Sequence, residues 1–84
     1  MDQLRDLVAR VFDIPKNQVT DNLQRGKIEA WDSLNHLLLI SEIENEFGIQ
    51  FTTDEVLEIK TFKDIEAIVL KRRNNRTLDH KVED

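Results

Sequence analysis

Ser33 is the residue of this sequence whose type and position best suit covalent chemistry. It follows Asp32 at the start of a helix-forming stretch, where the Asp32 carboxylate suits the N-cap because it can accept hydrogen bonds from the first-turn N–H groups. The hydroxyl of Ser33 then lies near the positive end of the helix dipole. Because a helix N-terminus attracts anions, the sequence predicts that Ser33 can hold a phosphate group.

A catalytic role for this serine is the competing hypothesis. His36, one turn further on, is the candidate base, but nucleophilic catalysis also needs an orienting group and an oxyanion site. The G-x-S-x-G context of hydrolases is absent. The sequence therefore gives little support to a catalytic serine, and we predict a protein that is not an enzyme. A small serine enzyme would instead lose its activity in His36→Ala.

Metal binding is a second alternative, carried by a set of acidic residues: Glu42, Glu44, Glu46, Asp54, Glu55 and Glu58. Their spacing does not match an EF-hand, and His80 has no ligand-type neighbours at metal spacing. The chain has no cysteine, which excludes thiolate ligands and disulfides. A solvated acidic face is the favoured interpretation, and no metal is predicted.

Composition bounds the class of protein and its partners. The chain has 84 residues, the size of one small domain, and a formal charge of −5. An acidic protein is poorly suited to nucleic acid or an anionic membrane, and basic protein surfaces complement it better. The longest apolar run, Leu37 to Ile40, is too short to span a membrane, and we expect no signal peptide. We expect a cytoplasmic monomer.

The helix that carries Ser33 has two apolar faces. It is predicted to run to Phe47 and to close at Gly48 in a left-handed conformation. Its core-facing stripe repeats at helical spacing to the end: Leu39, Ile40, Ile43 and Phe47. A second stripe, Leu34, Leu37 and Leu38, gives way to Ser41, Glu42 and Asn45. This second stripe is either a binding patch or a surface covered by the preceding loop or another helix.

The segment before this helix holds a first helix and a long loop. The apolar spacing predicts the helix over Asp2–Phe12, ended by Pro15. A loop from 13 to 31 follows, with a helical turn around Thr20 to Gln24 and irregular apolar anchors: Ile14, Val19, Leu23, Ile28 and Trp31.

Two more helices follow Gly48. Thr52 and Glu55 form a capping box for a short helix from Thr53 to Ile59. Thr61, with Asp64 in the box position, caps a last helix whose buried face is predicted to be Phe62, Ile65, Ile68 and Val69. This helix is predicted to end in cations, Lys71, Arg72 and Arg73, which suit the negative end of the dipole. The fold class is therefore all-α: a four-helix bundle of three longer helices and one short helix, with a domain at 1–73 and a polar, flexible tail at 74–84.

The order of these motifs resembles the acyl carrier proteins, the phosphopantetheine-binding carrier family. The similarity lies in D-S-L, in the following LLLISEIENEFGIQF and in the later TTDEVLEIKTFKDIEAIV, and it extends from Leu4 to about Leu70. It implies the same four-helix fold, of the free-standing type. It also implies that Ser33, flanked by Asp32, carries 4′-phosphopantetheine from coenzyme A through a phosphodiester. A phosphopantetheinyl transferase is then one partner, and acyl-transferring, condensing or ligase enzymes are others.

The resemblance also implies a docking surface next to Ser33. We expect partner enzymes to contact the apolar residues Leu34, Leu37 and Leu38 and the carboxylates Glu42, Asp54 and Glu55. A small apolar patch flanked by charge suits brief docking, and the charge raises the association rate more than the affinity.

The neighbours of Ser33 depart from many fatty-acid carriers. Asn35 and His36 replace an acidic residue after D-S-L, and Ala30 and Trp31 precede it in place of glycine. W-D-S-L-N-H is more similar to free-standing carriers of specialised pathways, of polyketide, nonribosomal-peptide or surface-polysaccharide type. The alternatives left open are a carrier for aminoacyl groups and a helical interaction module in which Ser33 stays unmodified.

Overall fold

The computed structural model describes the backbone of residues 2–83 and the side chains of residues 2–73, and these described residues form four α-helices. They are α1 (Asp2–Phe12), α2 (Ser33–Phe47), α3 (Thr53–Glu58) and α4 (Phe62–Glu83), with a short 3₁₀ helix at Lys16–Gln18. The described residues contain no strand, only an isolated bridge between Gln24 and Thr61. The predicted all-α, four-helix class is confirmed. No helix within the described residues is long and apolar enough to cross a membrane.

The first helix ends as predicted at Phe12, but a backbone turn closes it ahead of Pro15. Asp13 adopts a left-handed conformation with φ of 56°, and the N–H of Ile14 donates to the carbonyl of Ala9 over 3.0 Å. This pattern is the common helix-closing motif in which a left-handed residue follows the last turn. Pro15 instead caps the 3₁₀ helix, with a φ of −61° that suits the start of a helical turn.

The helical turn predicted around Thr20 to Gln24 is wrong. The 3₁₀ helix lies earlier, at Lys16–Gln18, and at Thr20 the chain makes a turn closed by Leu23. The cause is pairing with a distant segment. The carbonyl of Leu23 accepts from the N–H of Phe62 over 2.9 Å, and the N–H of Arg25 donates to Lys60 over 2.7 Å. Backbone groups committed to the start of α4 are not free for a local helix.

The core packs three helices and the loop around Trp31. The Trp31 side chain is fully buried, and its ring lies 5.3 Å from that of Phe12, a tilted contact typical of buried aromatic pairs. The prediction that Trp31 anchors the loop is confirmed. The remaining buried apolar residues come from α1, α2, α4 and the connecting segments: Leu4, Leu7, Val8, Val19, Leu39, Ile40, Ile43, Ile49, Ile59, Phe62, Ile65 and Val69. Phe47 and Ile68, also predicted for the core, are half-buried against it.

The short helix α3 has the caps that the sequence predicts. Gly48 closes α2 at a φ of 66°, and Thr52 and Glu55 form the full capping box. The N–H of Glu55 donates to Thr52 over 3.1 Å, and the N–H of Thr52 donates to the Glu55 carboxylate over 2.9 Å. No residue of α3 is fully buried. Its position in the fold therefore depends strongly on polar contacts at its two ends.

The last helix is longer than predicted. It continues past Arg73 to Glu83, because the sequence after Phe62 contains neither glycine nor proline to stop it. The side chains of residues 74–83 and the whole of residue 84 lie outside the described residues. The division into a domain at 1–73 and a flexible tail at 74–84 therefore stays a prediction.

Candidate functional site

Ser33 is the first residue of α2, and its side chain is exposed. Asp32 is the N-cap, with extended backbone angles, and its carboxylate accepts a hydrogen bond from the N–H of Asn35 over 2.8 Å. The N–H of His36 donates to the backbone carbonyl of Asp32, also over 2.8 Å. The predicted cap is confirmed. It places the Ser33 hydroxyl in solvent at the positive end of the dipole of a 15-residue helix.

A phosphate group attached at this hydroxyl would have room and would lie at the positive end of the α2 dipole. Because Ser33 is exposed, a phosphodiester formed at its hydroxyl would extend into solvent. The nearby Asp32 carboxylate is engaged with the first turn through the N–H of Asn35. The exposed helix end can accommodate an additional negative group.

His36 lies one turn from Ser33, but its ring forms hydrogen bonds with other residues. It is 4% exposed. Its Nδ1 lies 2.9 Å from Trp31 Nε1, and its Nε2 lies 2.8 Å from the carbonyl oxygen of Val56 in α3. An indole nitrogen only donates, so Nδ1 must be the acceptor and Nε2 must carry the hydrogen that Val56 accepts. Both ring nitrogens are therefore occupied, and neither is free to act as a base for Ser33.

The burial of His36 also keeps its ring neutral. Loss of solvation lowers the pKa of His36 below 6.5, and the positive charge of Arg25 adds to this decrease. The hydrogen bond to Val56 acts in the opposite direction without reversing the result. A neutral ring is also what the Trp31 contact requires, because a protonated Nδ1 would oppose the indole N–H with a second donor.

Asn35, the other departure from the acidic pattern, connects the loop to the same helical turn. Its side-chain Nδ2 donates to the carbonyl of Ala30 over 2.8 Å. An aspartate at this position would be an acceptor facing an acceptor when ionised. Trp31, Asn35 and His36 therefore form one unit, in which two side chains of α2 hold the two loop residues that precede Asp32.

The second apolar stripe of α2 is exposed in the part of the chain with described side chains. Leu34 is 76% exposed, Leu37 60% and Leu38 49%. Neither the loop nor a described helix side chain covers them, so within these residues the stripe is a surface patch. Contiguous exposed apolar residues tend to mark interaction sites.

One further apolar side chain escaped the sequence reasoning. Leu57 in α3 is 65% exposed. The signal was present, since Val56 and Ile59, the residue that follows α3, pack in or against the core and Leu57 is rotated about 100° from Val56. With the Val56 carbonyl held against His36, the end of α3 lies next to the first turns of α2.

The three carboxylates predicted for the partner face differ in their surroundings. Asp54 is exposed. Glu42 lies 3.8 Å from the guanidinium of Arg10 in α1, a long and solvent-exposed ion pair. Glu55 is a half-buried group that pairs with Arg72 of α4 while it completes the α3 capping box. Two of the three therefore have partners within the chain.

The contacts of Glu55 lower its pKa. Partial burial raises the pKa, but hydrogen bonds from Thr52 and from Arg72, together with the positive charge of Arg72, outweigh it and hold the pKa below 4.5. Arg72 also donates to the carbonyl of Gln50 over 3.2 Å. Arg72 thus connects α4 to the start of α3 and to the loop before it.

The acidic residues considered for a metal do not form a ligand set. Among the residues that the structure describes, no three histidine or carboxylate side chains lie close enough together to hold a metal ion.

Comparison with known families and proteins gives a consistent result. Residues 2–69 match the family model described as a phosphopantetheine attachment site. The chain is 32% identical over 62 residues to an acyl carrier protein of Lactobacillus acidophilus, covering 74% of this chain and 78% of that one. It is 32% identical over 72 residues to an acyl carrier protein of Chloroherpeton thalassium, covering 84% and 90%.

A solved structure is similar over nearly the whole chain. The solution structure of a holo acyl carrier protein from Geobacter metallireducens matches with a TM-score of 0.81 at 33% identity, covering 94% of this chain and 90% of that one. The fold described above is therefore shared with a carrier protein whose structure was solved in its holo form.

Proposed function

Since this chain belongs to the phosphopantetheine-binding family of acyl carrier proteins, we propose that it carries acyl intermediates on a 4′-phosphopantetheine arm at Ser33. Covalently attached phosphopantetheine is the cofactor of this family. The observation that carries the assignment of Ser33 is its position as an exposed hydroxyl at the first residue of α2, within the matched segment.

In this role the chain supplies the hydroxyl that accepts phosphopantetheine and a surface on which partner enzymes dock, and it performs no catalysis. Ser33 offers the hydroxyl, while the base, the coenzyme A and the metal ion come from a phosphopantetheinyl transferase. The arm, when attached, supplies the thiol for a thioester, which the cysteine-free chain lacks. Tethering raises the effective concentration of the acyl group at each docked enzyme. Both ring nitrogens of His36 are hydrogen-bonded to other residues, which supports this passive role over the serine-enzyme alternative.

The partner face that we propose consists of Leu34, Leu37 and Leu38, with Glu42, Asp54 and Glu55 as its charged border. The exposure of the three leucines supports their part. Asp54 is the exposed carboxylate of the set, whereas Glu42 and Glu55 also serve contacts within the chain. The acyl-transferring, condensing or ligase enzymes that dock here would present a matching apolar surface with basic groups around it.

For the pathway we propose fatty-acid, polyketide or related specialised biosynthesis, in a cytoplasmic monomer. The relatives that carry the name acyl carrier protein support an acyl cargo. A carrier for aminoacyl groups is the second candidate, although such carriers usually show a different residue pattern before the serine than Ala30-Trp31-Asp32. Loading with acyl or aminoacyl substrates by the corresponding ligases separates the two.

The test is the intact mass after incubation with coenzyme A and a broad-specificity phosphopantetheinyl transferase. Ser33→Ala is the site variant, and Ser41→Ala is its matched control, because the chain has only these two serines and both are exposed on α2. We expect one phosphopantetheine increment on the wild type and on Ser41→Ala, and none on Ser33→Ala. No increment on folded wild type would favour the unmodified interaction module.

A further inference from the structure

The short helix α3 needs a specific connection to the helix that carries Ser33. None of its six residues is fully buried, and Val56, on its inner side, is only half-buried. Apolar packing alone therefore gives it weak support. Its N-terminal end is held by Arg72, which contacts Glu55 and the carbonyl of Gln50.

At the other end of α3, the contact to α2 is made by His36. Its Nε2–H donates to the carbonyl of Val56 over 2.8 Å, and the ring is held on its other side by the indole N–H of Trp31. The ring planes of Trp31 and His36 lie at 27° with centroids 6.1 Å apart. The hydrogen bond from Trp31 selects the tautomer that can donate to α3.

This contact lies close to Ser33. His36 follows Ser33 by three residues, so the two α-carbons differ by about 4.5 Å along the helix axis. The peptide that His36 holds is followed by Leu57, which is 65% exposed. A shift of α3 would therefore change the surface adjacent to the attachment serine.

We propose that His36 is a positioning residue, whose ring, oriented by Trp31, fixes the last turn of α3 beside the turn of α2 that carries Ser33. The proposal rests on the carrier function proposed above for its consequence, the recognition of Ser33 by enzymes that dock on both helices. The segment W-D-S-L-N-H then has a structural role as well, because Trp31 and His36 are buried while Ser33 and Leu34 are exposed to solvent.

Amide hydrogen exchange followed by NMR tests the position of α3. The amides of Val56 and Ile59 donate to Thr52 and Glu55 within this helix, and that of Val8 in α1 serves as the reference. In His36→Ala we expect exchange at Val56 and Ile59 to accelerate at least tenfold more than at Val8. Equal acceleration in both helices, or none in α3, would overturn the proposal.

Two conservative variants separate the two hydrogen bonds of the ring. The side-chain amide of His36→Gln reaches about as far as Nε2 and can donate to Val56, whereas the amide oxygen of His36→Asn lies near the position of Nδ1 and can accept from Trp31. We expect His36→Gln to restore most of the protection in α3 and His36→Asn to leave α3 unprotected. The reverse pattern would contradict the proposal.

A measurement on the unmodified sequence keeps the proposal testable if His36→Ala does not fold. The ¹⁵N shifts of the imidazole at neutral pH report which nitrogen carries the hydrogen. We expect hydrogen on Nε2 alone, and hydrogen on Nδ1 would overturn the tautomer on which the proposal depends.

Kinetics of phosphopantetheinyl transfer link the position of α3 to function. His36→Ala should raise KM for the carrier severalfold with kcat within twofold, and His36→Gln should reverse most of the rise. An unchanged KM in a variant with loosened α3 would overturn the role in recognition. If the wild type gains no phosphopantetheine at all, the carrier function fails, and the exchange and tautomer results decide the positioning role by themselves.

Discussion

The indole N–H of Trp31 donates to Nδ1 of His36 over 2.9 Å in the buried region next to Ser33. This contact and the burial of the ring both favour neutral imidazole, and the pKa of His36 is accordingly lowered. The positive charge of Arg25, in the loop before α2, adds to the decrease in this pKa. Trp31 thus selects the tautomer of His36, and His36 supplies the acceptor for the buried indole N–H. Neither residue type by itself would have predicted this hydrogen bond.

Acid titration of tryptophan fluorescence reports this contact directly, because Trp31 is the only tryptophan of the chain. Protonation of His36 replaces the acceptor at Nδ1 with a donor, so the indole loses its partner and its emission should change. We expect a midpoint below 6.5, the direction in which burial moves the pKa.

His36→Asn, which keeps an acceptor but does not titrate, is the control and should show no such step. Circular dichroism at each pH separates the local change from unfolding. A midpoint at or above 6.5 in wild type would contradict the lowered pKa of His36.

The elements that local sequence determines agree with the sequence predictions, and the reason is the range of the interactions. Asp32 caps α2, Thr52 and Glu55 cap α3, and Gly48 closes α2 through groups no more than four residues away. A cap depends on side chain and backbone within a single turn, so residue types at fixed offsets are sufficient to predict it.

The features that sequence reasoning missed depend on contacts between distant segments. The loop at Leu23 pairs with Phe62, and His36 meets Val56 twenty residues on. Glu55, predicted as part of an open docking face, lies against Arg72. No local pattern encodes these pairs, because each depends on how the helices pack once the core has formed.

Leu37 and Leu39 give a matched test of the two faces of α2. They lie two residues apart on one helix, with Leu37 60% exposed and Leu39 fully buried. Leu39→Ala should lower the free energy of unfolding by about 2–5 kcal/mol, because it leaves a cavity in the core. Leu37→Ala should change it by no more than about 0.5 kcal/mol. Urea denaturation followed by circular dichroism measures both.

Leu37→Glu extends this test to partner docking. We expect it to fold as the wild type does and to react more slowly with acyl-transferring enzymes, since a charge would enter the apolar patch. Unfolding of Leu37→Glu would instead show that Leu37 is part of the core and would contradict the exposed face described here.

Asp13 offers a stabilising substitution at the end of α1. Its φ of 56° places Asp13 in the left-handed region, where the β-carbon of a non-glycine residue crowds the backbone at a cost of about 1 kcal/mol. Its negative charge also lies at the negative end of the helix dipole. Asp13→Gly should therefore raise the free energy of unfolding by up to about 1 kcal/mol, and Asp13→Asn, which removes the charge only, by less. A lower melting temperature for Asp13→Gly would mean that the carboxylate makes a stabilising contact.

The acid stability of the protein should depend on Glu55. Its folded-state pKa lies below 4.5 because Thr52 and Arg72 donate hydrogen bonds to the ionised carboxylate. A carboxyl group with a lowered pKa contributes stability that is fully present above its unfolded pKa and is lost as the pH falls through the folded value. Glu55→Gln removes this contribution, so the difference in free energy of unfolding between wild type and variant should be greatest at neutral pH. It should narrow once the pH falls below about 4.5, the unfolded-state value.

Urea denaturation of both proteins between pH 7 and pH 3 measures that difference, and Glu58→Gln is the matched control, an exposed carboxylate at the end of the same helix. In Glu58→Gln the contacts of Thr52 and Arg72 remain, so the pH dependence should follow the wild type. A constant difference between wild type and Glu55→Gln over the whole range would mean that Thr52 and Arg72 do not stabilise the ionised carboxylate over its neutral form. The junction of α3 and α4 would then depend on the capping box and on the contact of Arg72 with Gln50.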